Sequence, residues 1–166
     1  MQNQASLKMA IVDDDIQMRT MLEDFLKEKY PLAEVSTYIT GEDAIKNMVT
    51  KPDLVVLDYN LDSASAGSMN GIQFLKKLNQ SYPGVPVIFL SGQEKPEVAA
   101  YTIQHGAHDY IIKNENIFKR LESTLNSLFG KVKTSANTDG QKSIVKVIII
   151  AGVILLVGIL MWKWMK

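Results

Sequence analysis

Residues 54–61 read LVVLDYNL, a run of four apolar residues that ends in a single acid, Asp58. Four consecutive Val and Leu residues with no polar residue between them are typical of a strand that is buried on both faces. Strands of that kind occur in parallel sheets that helices cover on both sides. The segment therefore predicts a buried strand of an α/β fold with a carboxylate at its carboxyl end.

The segments on either side alternate between strand and helix patterns. Four more strands are predicted, at 9–12 (MAIV), 34–38 (EVSTY), 85–90 (VPVIFL) and 109–113 (DYIIK). The helical patterns that separate and follow them are Met18, Met21, Leu22, Phe25 and Leu26; a short helix opened by Gly41; Ile72, Leu75 and Leu78; a helix with Pro96 in its first turn; and Ile117, Leu121, Leu125 and Leu128. Five strands and five helices in strict alternation predict a doubly wound parallel sheet.

The functional crevice of a doubly wound sheet lies beyond the carboxyl ends of its strands. The polar residues that end the predicted strands are Asp13, Asp14, Asp15, Asp58, Ser91 and Lys113. Clustered carboxylates repel one another unless a hard cation joins them, and Mg²⁺ binds carboxylates together with phosphate oxygens. A carboxylate can attack phosphorus and form an aspartyl phosphate, while an ammonium and a hydroxyl contact the phosphoryl oxygens. The set therefore indicates Mg²⁺-assisted phosphoryl transfer to a carboxylate.

The motifs IVDDD, LVVLDYNL, FLSG and DYIIK, in this order, resemble the receiver domain of two-component response regulators over residues 7–129. The resemblance implies a (βα)5 flavodoxin-like fold with strand order 2-1-3-4-5 and Mg²⁺ as cofactor. Carried over by position, it makes Asp13 and Asp14 the acidic metal-binding pair, Asp58 the phospho-acceptor and a metal ligand, Asn60 a ligand through its backbone carbonyl, Ser91 the switch hydroxyl, Lys113 the phosphate-contacting lysine and Tyr110 the aromatic switch.

The sequence departs from this family at two places. Members usually have a proline after the lysine, with a cis bond, whereas Asn114 follows Lys113 here. A non-proline cis bond costs about 2.5–4 kcal/mol, so we expect either a trans bond or a strained approach of Lys113. The loop at 62–70 is five residues longer than usual, which delays the family's glycine to Gly71. It could recognise a kinase or shield the phosphate, but a neutral loop extension is the preferred interpretation.

Several nearby residues have a simpler interpretation than a role in the site. We expect Asp15 to cap the first helix rather than to bind metal. His105 and His108 are predicted to be surface residues, because neither follows a strand with a carboxylate motif nearby. Asn60 and Gln93 occupy positions that, in the resembled family, tune the rate of dephosphorylation. The lifetime of the phosphate stays open.

Residues 144–162 read IVKVIIIAGVILLVGILMW, long enough at 1.5 Å per residue to cross most of a bilayer of about 30 Å. We therefore predict a receiver domain at 1–129, a polar linker at 130–143 and a transmembrane helix at 144–163. A buried C-terminal helix or an in-plane interfacial helix is less consistent with a run that has no polar stripe. Lysines that precede the run place the domain on the cytoplasmic side of the inner membrane.

The charges are uneven, although the chain is neutral overall. Residues 1–129 carry 12 basic and 17 acidic side chains, a net charge of −5, which argues against nucleic acid as a partner. We expect a membrane-tethered single-domain response regulator that receives a phosphoryl group from a histidine kinase or a phosphotransfer protein and signals through a downstream protein partner. It is not expected to be an enzyme beyond its own phosphorylation and dephosphorylation. The alternative is a tail-anchored adaptor that works without phosphorylation.

Overall fold

Five strands alternate with five helices along the part of the chain that the computed structural model describes, residues 6–61 and 68–130. The strands are β1 (Lys8–Val12), β2 (Glu34–Tyr38), β3 (Leu54–Asp58), β4 (Val87–Ser91) and β5 (Asp109–Ile112). The helices are α1 (Ile16–Lys29), α2 (Gly41–Asn47), α3 (Gly71–Ser81), α4 (Pro96–Gln104) and α5 (Ile117–Phe129). The predicted alternation is confirmed.

The five strands form one parallel sheet in the order β2-β1-β3-β4-β5, which confirms the predicted topology. The prediction for β4 was two residues early, because the strand begins at Val87 and continues to Ser91. Pro86 lacks a backbone N–H to donate to the sheet, although its carbonyl oxygen accepts a hydrogen bond from the Val55 N–H at 3.0 Å. β5 ends at Ile112, so Lys113 lies just beyond the sheet.

Alternate residues of β3 face opposite sides of the sheet and enter two separate apolar clusters. Val55 and Leu57 pack with Phe74 of α3, on the side that α2, α3 and α4 cover. Leu54 and Val56 pack with a second cluster, whose helical members come from α1 and α5. Every residue of β3 is buried, which explains the unbroken apolar run from which its strand was predicted.

Helix α1 contains all five of the predicted apolar positions, but they are not equally buried. Leu22 and Leu26 are fully buried, and Phe25 packs against Phe118 of α5 with ring centroids 5.1 Å apart. Met21 is 51% exposed, although it belongs to the apolar spacing from which the helix was predicted. Successive residues of a helix are 100° apart, which puts Met21 at the edge of the face that Leu22 centres.

The predicted transmembrane helix at 144–163 and most of the predicted linker lie outside the described residues. Within 6–61 and 68–130, no helix is both long enough and apolar enough to cross a bilayer.

Candidate functional site

Three carboxylates meet at the carboxyl edge of the sheet. Asp13 follows β1, Asp58 is the last residue of β3, and Asp14 follows Asp13 into the β1–α1 loop. One carboxylate oxygen from each lies within 4.8 Å of the others. Asp13 is only 1% exposed and Asp58 6%, so two of the three acids are buried side by side. This is the convergence that the strand ends predicted.

Lys113 links two of these acids. Its Nζ lies 2.9 Å from Asp13 Oδ2 and 2.9 Å from Asp58 Oδ1. The backbone sets this reach, because the Lys113 N–H donates to the Ser91 carbonyl oxygen at 2.7 Å, just past the end of the β4–β5 pairing. No peptide bond in the described residues is cis, so the Lys113–Asn114 bond is trans. The replacement of the family's proline by Asn114 thus leaves the lysine in reach of the acids.

Burial and charge act in opposite directions on the pKa values of this pair. Burial raises the pKa of Asp13 above its ordinary value, and the hydrogen bond from Lys113 offsets only part of that effect. For Lys113, burial acts to lower the pKa, but the hydrogen bond to Asp13 and the charge of Asp58 outweigh it, so its pKa is raised. One lysine contacts two of the three clustered carboxylates, which leaves the third for a cation to compensate.

Every polar atom of Asp13 has a hydrogen-bonding partner. Its N–H donates to the Tyr38 carbonyl oxygen at 3.2 Å, and its Oδ1 accepts from the Asp15 N–H at 2.9 Å. Its carbonyl oxygen accepts from Nη1 of Arg19 at 2.6 Å, and Lys113 bonds to its Oδ2. Arg19 was not among the residues predicted from the sequence. The sequence signal that could have identified it is an arginine in the first turn of the helix that follows Asp13, Asp14 and Asp15.

Asp15 caps α1, as predicted. Its Oδ1 accepts from the N–H groups of Gln17 at 2.8 Å and Met18 at 3.3 Å. The side chain is exposed and is not a member of the carboxylate cluster. The three consecutive acids therefore divide between the metal-type cluster and the helix cap.

Ser91 and Gln93 border the site from the β4–α4 loop. Ser91 is fully buried, and its Oγ accepts from the Gln93 N–H at 3.0 Å. The Nε2 of Gln93 lies 3.5 Å from Oδ1 of Asn60, so the two amides that were predicted to influence dephosphorylation approach each other. The ligand role of the Asn60 backbone carbonyl stays a prediction.

Tyr110 lies next to this loop with its ring buried. Its hydroxyl donates to the Gln93 carbonyl oxygen at 2.9 Å, and burial raises its pKa. Its ring stands edge-on to Tyr59, with centroids 6.2 Å apart. The predicted switch residue is thus connected to the residue after Asp58 and to the residue two after Ser91.

Gly71 explains how the longer loop rejoins the fold. A Cβ at this position would lie 2.8 Å from Phe89 Cε1 and 3.0 Å from the Asp58 carbonyl oxygen. Glycine is therefore required where α3 starts against the end of β3. Residues 62–67 lie outside the described part of the chain. After them, the Met69 N–H donates to Glu42 Oε1 at 2.6 Å.

The two histidines lie away from the acidic cluster. His108 is exposed, and the ring of half-buried His105 stacks on Tyr101 of α4 at 4.0 Å between centroids. A ring nitrogen of His105 lies 2.7 Å from the Tyr101 carbonyl oxygen.

The donor set fits a hard divalent cation. Asp13, Asp14 and Asp58 offer carboxylate oxygens, which Mg²⁺ prefers, in a cluster narrow enough for one ion to contact all three. No cysteine or histidine is among these ligands. A softer metal such as Zn²⁺ usually takes such residues.

Comparison with known proteins identifies the family. The profile of the response regulator receiver domain matches residues 9–125. A protein-glutamate methylesterase/protein-glutamine glutaminase of Sulfurimonas denitrificans is 31% identical over 141 residues, which cover 81% of this chain and 38% of the relative. A protein with the same description from Bacillus subtilis is 34% identical over 110 residues, 64% of this chain and 29% of the relative. The chain thus spans less than two fifths of the length of these curated relatives.

Solved structures give the same result. The chemotaxis response regulator CheY4 of Vibrio cholerae superposes with a TM-score of 0.63 at 26% identity, covering 75% of this chain and 100% of CheY4. The BeF3-activated DrrB receiver domain superposes with a TM-score of 0.60 at 27% identity, covering 73% of this chain and 98% of that domain. Because the family profile matches more than half of the chain, the chain belongs to the response regulator receiver domain family.

Proposed function

We propose that this protein is a membrane-tethered response regulator that accepts a phosphoryl group on Asp58 from the phosphohistidine of a histidine kinase or a phosphotransfer protein. The observation that carries the proposal is the double contact of Lys113 with Asp13 and Asp58, beside a third carboxylate. Asp58, the buried acid that ends the central strand, is contacted by the Lys113 ammonium and belongs to a carboxylate cluster that suits a divalent cation.

The side chains have separate roles in this proposal. Asp58 Oδ is the nucleophile that attacks phosphorus, and the histidine nitrogen leaves. Asp13 and Asp14, with the backbone carbonyl of Asn60, would hold Mg²⁺, which, when bound, offsets the repulsion between the carboxylate and the incoming phosphoryl oxygens. Lys113 and the Ser91 hydroxyl donate to those oxygens. The product carries close to two negative charges on its phosphoryl group.

Tyr110 is proposed as the switch that reports this change. Its hydroxyl bonds to the Gln93 carbonyl, and Gln93 also bonds to Ser91 Oγ through its own N–H. Movement of Ser91 toward a phosphoryl group alters this chain of contacts and so acts on the Tyr110 ring. The ring borders a cavity of about 630 Å³ between α4, β5 and α5, whose cationic lining residues are Lys95, Lys119 and Arg120. We assign the downstream protein partner to this surface.

The test is phosphoryl labelling of the chain with a small phosphodonor. The wild type is expected to incorporate label when Mg²⁺ is present. It should incorporate little or none when EDTA is present from the start of the reaction. The Asp58→Asn variant is expected to incorporate none, because an amide is not a nucleophile for this step. Asp24→Asn, on the exposed side of α1, is the matched control and should label as well as wild type. Equal labelling of Asp58→Asn and wild type would refute the acceptor role.

A phosphorylation-independent adaptor is the alternative. The enlarged loop after Asp58 and the presence of Asn114 where the family usually has proline are the features that favour it. Against it stands the complete set of two acids, acceptor, hydroxyl and lysine, which a receiver that never cycles phosphate has no reason to keep together. The adaptor predicts that Asp58→Ala leaves partner capture unchanged, whereas the phosphorylation proposal predicts that capture no longer responds to phosphodonor.

The membrane tether is supported by the sequence. The uncharged run from Val147 to Trp162 is preceded by Lys131, Lys133, Lys142 and Lys146, which favour retention of the preceding segment in the cytoplasm. We propose a single-pass protein of the inner (cytoplasmic) membrane with the receiver domain in the cytoplasm. Full-length protein should stay in the membrane pellet after a carbonate wash and leave it after detergent treatment. Release by carbonate alone would contradict the span.

A further inference from the structure

Arg19 makes a contact that no assigned role explains. It lies in the first turn of α1, where its own N–H continues the helix by donating to the Asp15 carbonyl oxygen at 2.9 Å. Within residues 6–61 and 68–130, its guanidinium forms no ion pair with a carboxylate. Instead, Nη1 donates to the backbone carbonyl oxygen of Asp13 at 2.6 Å, and the contact is partly buried. A charged donor on a backbone carbonyl makes a strong hydrogen bond.

The bonded atom determines what the contact can do. The Asp13 carbonyl oxygen belongs to the peptide group that joins Asp13 to Asp14, and the atoms of a peptide group lie in one plane. Fixing this oxygen therefore fixes the direction in which the chain passes from one acid to the next. The preceding peptide is fixed as well, since the Asp13 N–H donates to the Tyr38 carbonyl oxygen. Asp13 is thus restrained on both sides along the backbone.

The side chain of Asp13 is restrained at both oxygens too, by Asp15 N–H and by Lys113. Asp14 is half-exposed, and neither oxygen of its carboxylate is bonded in the hydrogen bonds that the structure describes. Its aim toward Asp13 and Asp58 therefore depends on the backbone that carries it. Of the contacts described for that backbone, the one from Arg19 acts on the peptide shared with Asp14.

We propose that Arg19 is a positioning residue for the divalent-cation site: it holds the Asp13–Asp14 peptide so that both carboxylates aim at the ion. The inference rests on the metal site of the proposed function. A positive charge near the cluster also has an opposite effect, because it repels a cation. Positioning outweighs that repulsion here, since the guanidinium is bound to the carbonyl oxygen and not to a ligand oxygen. Removal of Arg19 should therefore weaken metal binding.

The measurement is the affinity of full-length protein in detergent for Mn²⁺, read as loss of the free-ion signal in electron paramagnetic resonance. Arg19→Met is expected to weaken Mn²⁺ binding by about tenfold or more, the usual effect of losing a residue that orients metal ligands. Arg19→Lys keeps a cationic donor on a shorter arm and should recover part of the affinity. Lys27→Met removes an exposed cation about two turns further along α1 and should bind Mn²⁺ as wild type does.

A second readout separates positioning from general stability. Urea unfolding in EDTA should place Arg19→Lys close to wild type, while its Mn²⁺ affinity still falls below that of wild type. Phosphoryl labelling of the arginine variants should approach the wild-type level when Mg²⁺ is raised to saturation. Unchanged or tighter Mn²⁺ binding in Arg19→Met overturns the proposal, as does an equal loss in Lys27→Met.

These outcomes are distinct from failure of the proposed function. If wild type binds Mn²⁺ and Arg19→Met does not, but no label reaches Asp58, the phosphorylation proposal falls and the role of Arg19 stands. If wild type labels at Asp58 but Arg19→Met binds Mn²⁺ as tightly as wild type does, the role of Arg19 falls and the phosphorylation proposal stands. A wild type that binds no Mn²⁺ overturns both.

Discussion

The two ends of β3 differ in what they bury. Over Leu54–Leu57 the strand buries only apolar side chains, each at most 1% exposed. One residue later it buries a carboxylate, Asp58, at 6% exposure, next to Asp13 at 1%. The apolar part stabilises the fold through burial alone. The acidic end places like charges together in a poorly hydrated site, which costs stability unless cations compensate.

This difference indicates how the chain divides its residues between folding and function. The central strand provides enough burial to tolerate an unfavourable cluster at its end. Lys113 compensates part of the charge, but burial still raises the pKa of Asp13 above its ordinary value. A divalent cation that binds these carboxylates should therefore stabilise the folded chain.

The largest expected effect on stability is in the apolar cluster that packs against β3. Phe74→Ala removes a fully buried ring from the cluster against β3 and should lower the free energy of unfolding by about 3–5 kcal/mol. Urea unfolding of the full-length protein in detergent measures it. Tyr101→Ala is the control, because Tyr101 is 47% exposed and should change stability by no more than about 0.5 kcal/mol. Equal losses from the two variants would mean that this cluster does not dominate stability.

An intermediate effect on stability is expected at Gly71, which lies between the buried Phe89 ring and the acidic end of β3. Gly71→Ala places a methyl group against Phe89 and the Asp58 carbonyl oxygen, so the β3–α3 junction must shift. We expect a loss of about 1–3 kcal/mol in unfolding free energy, with slower phosphoryl labelling of the protein that remains folded. Gly92→Ala, in the next loop of the same edge, meets no atom within 4 Å and should be nearly neutral in stability. A neutral Gly71→Ala would show that the close approach is not constrained.

The smallest expected effect is a gain in stability, on replacement of Asp13. Because burial raises the pKa of Asp13, the folded chain binds a proton there more readily than the unfolded chain does. Metal-free wild type should therefore gain stability as the pH falls through the folded pKa toward the ordinary value of 3.8. At neutral pH Asp13→Asn should be more stable than wild type by about 0.5–2 kcal/mol, a gain that shrinks in acid.

Unfolding in EDTA between pH 7 and pH 4 measures this difference, with the exposed Asp24→Asn as control. The stabilised variant should also bind Mn²⁺ more weakly than wild type, which separates the stability of the site from its function. A wild type that is more stable than Asp13→Asn at pH 7 would contradict a net cost of burying the ionised Asp13 carboxylate.

Much of the fold followed from local patterns. The run LVVL, the helical spacing at Ile117, Leu121 and Leu125, and Pro96 at the start of α4 each identified their element. The start of β4 was predicted two residues too early, because the first hydrogen bond of a strand depends on the neighbouring strand. The residues of the acidic site were predictable once the strands were, because each ends a strand or lies within two residues of a strand end.

The sequence by itself determined the alternation of elements, the acids at the strand ends and the family motifs, because periodicity and turn chemistry act between residues close along the chain. Only the tertiary structure decided which atoms meet. It brought Lys113 to Asp13 and Asp58 across about a hundred and about fifty-five residues of chain, and it turned the Arg19 guanidinium to a carbonyl oxygen. Distances and hydrogen-bond directions of that kind arise from packing in three dimensions, which no short stretch of sequence encodes.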